Sequence, residues 1–236
     1  MNVNLKQAAA EEAVERFVRD GMIIGLGTGS TVYYVLRKLG EEITAGRLRD
    51  LAGVPTSVHT ERQADKFGIP LASLGNNNAL DVTIDGADEV DSNLNLIKGL
   101  GGALLREKIV AASSQRLVIV ADESKIVSRL GIRAPLPVEV TPFAWQVHIK
   151  FLESLGARPR LRLAREDEPY RTDNGNYIID AQFPGGIPDV PEVTAALDRR
   201  PGVVCYGLFL GMADAVAVAG SQGVRLMQRP GSATGT

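Results

Sequence analysis

Short apolar runs and helix-spaced apolar positions alternate through the first half of the chain. Met22–Gly25 is an apolar run that stops in glycine, and Thr31–Leu39 follows with Val32, Val35, Leu36 and Leu39 on one side of a helix. Val54–Val58 reads as a second strand and Thr60–Phe67 as a short helix. Val82–Ile84 and Leu117–Val120 read as further strands. Between those two, Ala103–Ala112 has helical spacing of Leu104, Leu105, Ile109 and Val110. This alternation predicts βαβ units and a largely parallel sheet, and right-handed crossovers place the loops that follow its strands along one edge. The N-terminal segment, with early acidic residues and no long apolar run, predicts an amphipathic helix rather than a signal peptide.

The pattern changes near Gly131. RAPLPVEVTPF carries three prolines in a short span, which suits a crossing between domains. Beyond it, Leu136–Val140 reads as strand, Pro142–Leu155 as helix and Arg158–Leu163 as strand. A turn at Thr172–Asn176 leads to strand Tyr177–Ala181, helix Val190–Arg199 and strand Val203–Tyr206. The order βαββαβ is the split-βαβ, ferredoxin-like pattern. Ala213–Ala219 is a last apolar run able to rejoin the first sheet. The expected fold is therefore α/β: a Rossmann-like, mostly parallel sheet domain (1–130 plus 207–236) with an inserted ferredoxin-like α+β domain (131–206). The tail RPGSATGT has the composition of a disordered terminus, and no internal repeat is present.

Composition narrows the chemistry. With 236 residues, 44% hydrophobic and 23% charged, the chain has the make-up of a globular protein large enough for one domain carrying a smaller one. A net charge of −2 and an aromatic content of 5% argue against nucleic-acid partners, since neither a basic surface nor stacking platforms are supplied. The one cysteine, Cys205, leaves no disulfide within the chain and no cysteine-based zinc site, and reads as a buried structural residue. The two histidines, His59 and His148, read as ordinary packed or half-exposed side chains. Acid–base work falls to Asp, Glu and Lys. No apolar stretch reaches membrane-spanning length, so the expected location is the cytoplasm.

Four loops at predicted strand ends carry the candidate chemistry. Gly25-Leu26-Gly27-Thr28-Gly29-Ser30-Thr31 opens a helix with glycines, hydroxyls and free backbone donors, which suits an anion; it lacks the Lys-Ser/Thr ending of a P-loop and the third glycine of GxGxxG. Asp81–Asp91 (DVTIDGADEVD) brings Asp85, Asp88 and Asp91 to the sheet edge, where carboxylates serve as acid and base, orient hydroxyls or hold a cation; an acidic turn is the plainer reading. Ile97–Lys108 places Lys98 at the head of a glycine loop and Glu107 near the start of the next helix. Either Glu107 is an exposed residue favoured by the helix dipole, or it is a desolvated base beside a lysine that stabilises an oxyanion. Val118–Lys125 ends in Asp122-Glu123-Ser124-Lys125, where Lys125 is a surface lysine or a ligand for phosphate or carbonyl.

Taken together, GLGTGST, TIDGADEVD, IKGLGGALLREK and VADESK, in that order, resemble ribose-5-phosphate isomerase of the A type, with PLPVEV, FPGGI and GLFLGMADAV as supporting segments. The resemblance spans roughly Ala8 to Met227, and Leu100 departs from the bacterial form of its glycine loop. It implies interconversion of D-ribose 5-phosphate and D-ribulose 5-phosphate through an enediol, with neither metal nor organic cofactor. By motif, Glu107 resembles the base between C1 and C2 and Lys98 the group that stabilises the enediolate. Asp85 and Asp88 resemble carboxylates that hold hydroxyls and assist ring opening. The implied substrate contacts are Thr28, Gly29, Ser30 and Thr31; Asp85, Gly86, Ala87 and Asp88; Lys98, Gly99, Leu100 and Gly101; and Lys125. The implied assembly is a homodimer or homotetramer, with a small-molecule sugar phosphate as partner and no nucleic acid or membrane. Three other classes match parts of the pattern: a sugar-phosphate sensor of a transcriptional regulator, which normally follows a DNA-binding segment; a metal-dependent phosphohydrolase using Asp85, Asp88 and Asp91; and a dinucleotide-binding dehydrogenase, weakened by Val32 and by Ser57 and Val58 at the next strand's end.

Overall fold

The computed structural model describes residues 4–76, 79–165 and 167–229. Its strands are β1 (Ile23–Leu26), β2 (Ala52–Pro55), β3 (Val82–Gly86), β4 (Glu89–Val90), β5 (Leu96–Ile97), β6 (Leu117–Asp122), β7 (Leu136–Val140), β8 (Arg158–Leu161), β9 (Leu163–Arg165), β10 (Glu168–Pro169), β11 (Tyr177–Gln182), β12 (Val203–Tyr206), β13 (Leu208–Phe209), β14 (Ala215–Gly220) and β15 (Gly223–Gln228). Its helices are α1 (Leu5–Phe17), α2 (Val32–Thr44), α3 (Val58–Lys66), α4 (Leu104–Ala112), α5 (Val147–Ser154) and α6 (Val190–Asp198).

The main sheet has the order β15-β14-β6-β3-β1-β2, parallel throughout except for the edge hairpin β14–β15. Both faces are covered, so its central strands read as unbroken apolar runs rather than alternating ones. In β6, Val118 and Val120 pack with Ala9, Ala10 and Ala13 of α1 and Val35, Leu36 and Leu39 of α2. Leu117, Ile119 and Ala121 face a second cluster that holds Leu96 and Phe209. Successive strands run outward in opposite directions from β1 and β3, so the chain's loops part there, and the carboxyl ends of β1 and β3 border a ready-made crevice.

The segment after Gly131 builds a second, antiparallel sheet of order β12-β7-β11-β8. With α5 between β7 and β8 and α6 between β11 and β12, this is the split-βαβ arrangement that the element order predicts. One face buries Val138 and Val140 against Leu152 of α5 and Val193 and Leu197 of α6. On the other, Ile178 and Cys205 meet Leu104 of α4. Cys205 is buried, as its residue type suggests.

Several boundaries differ from the sequence reading. Val58 is not the end of a strand: Ser57 accepts from the Thr60 N–H, caps α3, and turns the chain two residues early. The helix expected from Pro142 begins only at Val147, after turns that put Ala144 at φ 51°. The strand expected through Leu163 ends at Leu161, and β9 and β10 form a separate ribbon. A three-stranded ribbon, β13-β5-β4, and the edge strand β15 are additional. The tail from Pro230 onward lies outside the described residues. Among the described residues, no helix is long and apolar enough to cross a membrane.

The joint between the sheets is an acidic side chain wrapped in backbone. Glu89, fully buried on β4, accepts hydrogen bonds from the N–H groups of Gly131, Arg133 and Ala134 in the proline-rich crossing. Each buried N–H left without a partner costs about 1–3 kcal/mol. Glu89→Ala is therefore expected to lower stability by about 3 kcal/mol or more in urea denaturation. A loss below about 1 kcal/mol would contradict this role.

Candidate active site

The cleft lies where the loops after β1, β3 and β6 meet the loop that enters α4. It measures ≈ 240 Å³ and is lined by Lys6, Thr28–Thr31, Gly86–Asp88, Lys98, Gly99, Gly101, Glu107 and Lys125. Every sequence-nominated site residue but two is on this wall; Asp85 sits behind it, and Leu100, 41% exposed, turns outward.

Lys98 and Asp88 are brought together by the ribbon rather than by the main sheet. Asp88 precedes β4 and Lys98 follows β5, and the Asp88 N–H bonds to the Ile97 carbonyl (2.8 Å). The hairpin between them is closed by Asp91, whose carboxylate accepts from the Asn93 and Asn95 N–H groups. Asp91 is thus spent on its own turn and does not join Asp85 and Asp88. Among the described residues, no group of three or more His, Cys, Asp or Glu side chains is placed to hold a metal ion.

The centre is a buried triad of titratable groups. The Lys98 ammonium, 2% exposed, is 2.9 Å from Asp85 Oδ2 and 3.4 Å from Glu107 Oε1, and donates to the Gly86 carbonyl (2.6 Å). Asp85 Oδ1 also accepts from the N–H groups of Thr28 (3.0 Å) and Gly86 (2.7 Å). Gly27 is required here, because a Cβ at that position would overlap the Asp85 carboxylate. Glu107 has no comparable support: its Oε2 is buried without a hydrogen-bond partner. Burial, reinforced by the negative charges of Asp85 and Asp88 and only partly offset by Lys98, pushes the Glu107 carboxyl up to about 8. Burial works to discharge Lys98 as well, but Asp85 and Glu107 outweigh it and hold the ammonium at about 12. Asp88 is raised by burial, against the lowering effect of the Leu100 N–H and of Lys98 and Lys125.

The opposite chemistry lines the rest of the cleft. Lys6 donates to Ser30 Oγ (2.8 Å), and among the described residues neither Lys6 nor Lys125 has a carboxylate ion-pair partner. Thr31 stands at the helix entry without making a side-chain cap, so its hydroxyl is not consumed there. Thr28 differs: its hydroxyl joins Thr56, Ser57 and Thr60 in a cluster with contacts of 2.8–3.0 Å. Lys6, Thr56, Ser57 and Thr60 are not among the site residues that the sequence nominates. Lys6 sits on a helix with no motif, whereas Thr56-Ser57 follows β2 and is a polar strand end of the kind noted elsewhere. His148 is buried on α5, away from the cleft, and its pKa is lowered by burial and by Arg200. His59 is exposed, on a shallow hollow beside the cleft that also takes in Tyr33 and Gln63.

The family model of ribose 5-phosphate isomerase A (phosphoriboisomerase A) matches residues 52–223. The chain is 53% identical over 224 residues to the ribose-5-phosphate isomerase A of Gloeobacter violaceus, covering 94% of this chain and 95% of that one. Its structure is similar to a D-ribose-5-phosphate isomerase in complex with phospho-erythronic acid (TM-score 0.92, 44% identity, 97% of this chain and 100% of that one). It is equally similar to ribose 5-phosphate isomerase from Plasmodium falciparum (TM-score 0.92, 41% identity, 96% and 98%).

The position of the Glu107 proton has a consequence for stability. The folded protein keeps this proton up to about pH 8, whereas an ordinary glutamate loses it near 4.5. The stability linked to it is complete below about pH 4.5 and is lost as pH rises through 8. In urea midpoints measured across this range, Glu107→Gln is expected to gain steadily on the unsubstituted protein. Parallel curves would contradict the assignment.

Proposed function

The chain belongs to the ribose 5-phosphate isomerase A family, and from that premise we propose how its cleft divides the reaction among its side chains. The protein is an aldose–ketose isomerase that interconverts D-ribose 5-phosphate and D-ribulose 5-phosphate. The observation that carries the proposed roles is Glu107, a buried carboxyl with one bare oxygen on the cleft wall, beside a buried ammonium.

Lys6, Ser30, Thr31 and Lys125 receive the phosphate: among the described residues the two lysines have no carboxylate ion-pair partner, Ser30 already meets Lys6, the Thr31 hydroxyl is not used as a cap, and the helix entry adds its dipole. Gly29, Gly86, Ala87, Gly99 and Gly101 let backbone approach the sugar. Asp88 opens the furanose: it takes the O1 proton and delivers it to the ring oxygen as the bond between C1 and that oxygen breaks. Glu107, deprotonated, then takes the proton from C2, and the electron pair moves to form the C1–C2 enediolate with its charge on O1 beside Lys98. Returning that proton to C1, with a hydroxyl proton passing from O2 to O1 through Asp88, completes the ketose. Asp85, shielded behind the wall, holds Lys98 in place and in charge. These roles use only Asp, Glu, Lys and hydroxyl groups, and neither metal nor organic cofactor enters the proposal. Phospho-erythronic acid, named as bound to one related structure, joins an acid group to a phosphate, a pattern that the Lys98 end and the Lys6–Lys125 end both suit.

We extend the proposal to organisation. The division into 1–130 plus 207–236 and 131–206 is supported by largely separate apolar cores, with Ile97, Val127, Leu130 and Leu208 as the joint. A homodimer or homotetramer is supported by exposed apolar side chains such as Phe143 (89%) and Val147 (54%). A cytoplasmic location is supported by bacterial relatives, although one plant relative is named chloroplastic.

Ketose formation from ribose 5-phosphate is expected to proceed undiminished in EDTA; loss on chelation, restored by Mg²⁺ or Mn²⁺, would overturn the metal-free scheme. Lys98→Ala should lower kcat about 10²–10³-fold, as removal of one oxyanion donor does. Lys6→Ala and Thr31→Ala should chiefly raise KM. If Lys98→Ala altered only KM, Lys98 would be a ground-state ligand and the division of roles would be wrong.

A further inference from the structure

We propose that Arg162, from the second sheet, is a positioning residue for Asp88 and acts through the peptide group that joins Gly99 to Leu100. Arg162 stands where the predicted strand breaks: its N–H still reaches the Ile178 carbonyl (2.8 Å), but β8 has ended. Its guanidinium is forked onto Asp180 of β11, with Nε 2.9 Å from Oδ2 and Nη2 on Oδ1. That pairing fixes the plane of the fork and aims Nη1 across the joint between the sheets, at the carbonyls of Gly99 (3.1 Å) and Leu100 (2.9 Å).

The C=O and N–H of one trans peptide point in opposite directions. On the Gly99–Leu100 peptide, the carbonyl pole meets Arg162 and the N–H pole meets Asp88 Oδ2 (3.0 Å). Gly99 holds this orientation at φ 102°, a conformation that side-chain-bearing residues rarely adopt. The Gly99 carbonyl also closes a turn with the Gly102 N–H (3.0 Å). The turn by itself fixes the loop's bend; the cation adds the restraint that keeps the N–H on the carboxylate. Asp88 otherwise faces Lys98, Lys125 and Asp85, so among the described residues the Leu100 N–H is the one neutral donor in its charged surroundings. The expected effect on turnover rests on the ring-opening role given to Asp88 above; the coupling of Arg162 to Asp88 does not.

The test uses the full chain carrying Arg162→Gln or Arg162→Lys. Three quantities are read: the Asp88 carboxyl titration by ¹³C NMR, the Leu100 amide proton shift, and kcat and KM against pH. In Arg162→Gln, the Asp88 midpoint should rise, the Leu100 proton should move upfield, and kcat should fall about 10-fold with KM within about twofold. This is less than the roughly 10²-fold cost of misplacing a group by 1 Å. Arg162→Lys, which keeps the charge but not the fork, should recover part of all three, and is read alone if Arg162→Gln does not fold. An unchanged Asp88 midpoint and Leu100 shift in either folded variant, whatever its melting temperature, would overturn the proposal. If Asp88→Asn retained full kcat on ribose 5-phosphate, the ring-opening role would fall, while the two NMR shifts in Arg162→Gln would still support the coupling.

Discussion

One buried ammonium serves two buried carboxyl groups, and the rest of the site follows from that imbalance. Lys98, Asp85 and Glu107 are 2%, 1% and 4% exposed. Taking each charge out of water costs several kcal/mol, which only close pairing and additional hydrogen bonds offset. Asp85 has the shorter contact to Lys98 and two backbone N–H groups as well. Glu107 has the longer contact and a bare oxygen, so it is the group driven towards its neutral form. A carboxyl whose proton is balanced near the working pH can both accept a proton from carbon and give it back, which is what aldose–ketose exchange demands.

Holding three titratable groups together away from solvent requires scaffolding from both sheets. Gly27 has no side chain because Asp85 occupies that space. The Lys98 N–H bonds to the Gly207 carbonyl (2.9 Å), at the point where the chain returns from the second sheet, and a Cβ at Gly207 would overlap the Lys98 carbonyl. Lys108 secures the same return by donating to the carbonyls of Tyr206 (2.7 Å) and Leu208 (2.9 Å). Arg106 bonds to Asn174 and Asp173 in the turn beyond β10, and Asp173 accepts from the Val58 N–H at the start of α3. The second sheet thus bears on the site from two sides, through the glycine loop and through α4, the helix that carries Glu107.

Much of this was readable from sequence where function and local rules coincide. GLGTGST and the Asp85–Asp88 turn lie at the ends of apolar runs, and parallel sheets collect such ends at one edge. The βαββαβ order was visible because each element is long enough to show its period. What escaped was either too short or set by tertiary contact. β4 and β5 are two residues each, below any period, yet they place Asp88 beside Lys98. Lys6 enters from a helix whose sequence marks only its packing face. Asp85 and Asp88 look equivalent in the motif, but only the fold shows that one is sealed behind the cleft wall and the other lines it. The strand break at Arg162 is likewise invisible in a run whose alternation continues to Leu163.

The central claim is that Glu107 carries the proton between C1 and C2. Ribose 5-phosphate incubated with Glu107→Gln in D₂O, with binding confirmed by calorimetry, tests it most directly. The variant is expected to bind the sugar phosphate yet fail to exchange the C2 proton for deuterium. Exchange at a rate close to that of the unsubstituted protein would contradict it and move the base to the acidic loop after β3.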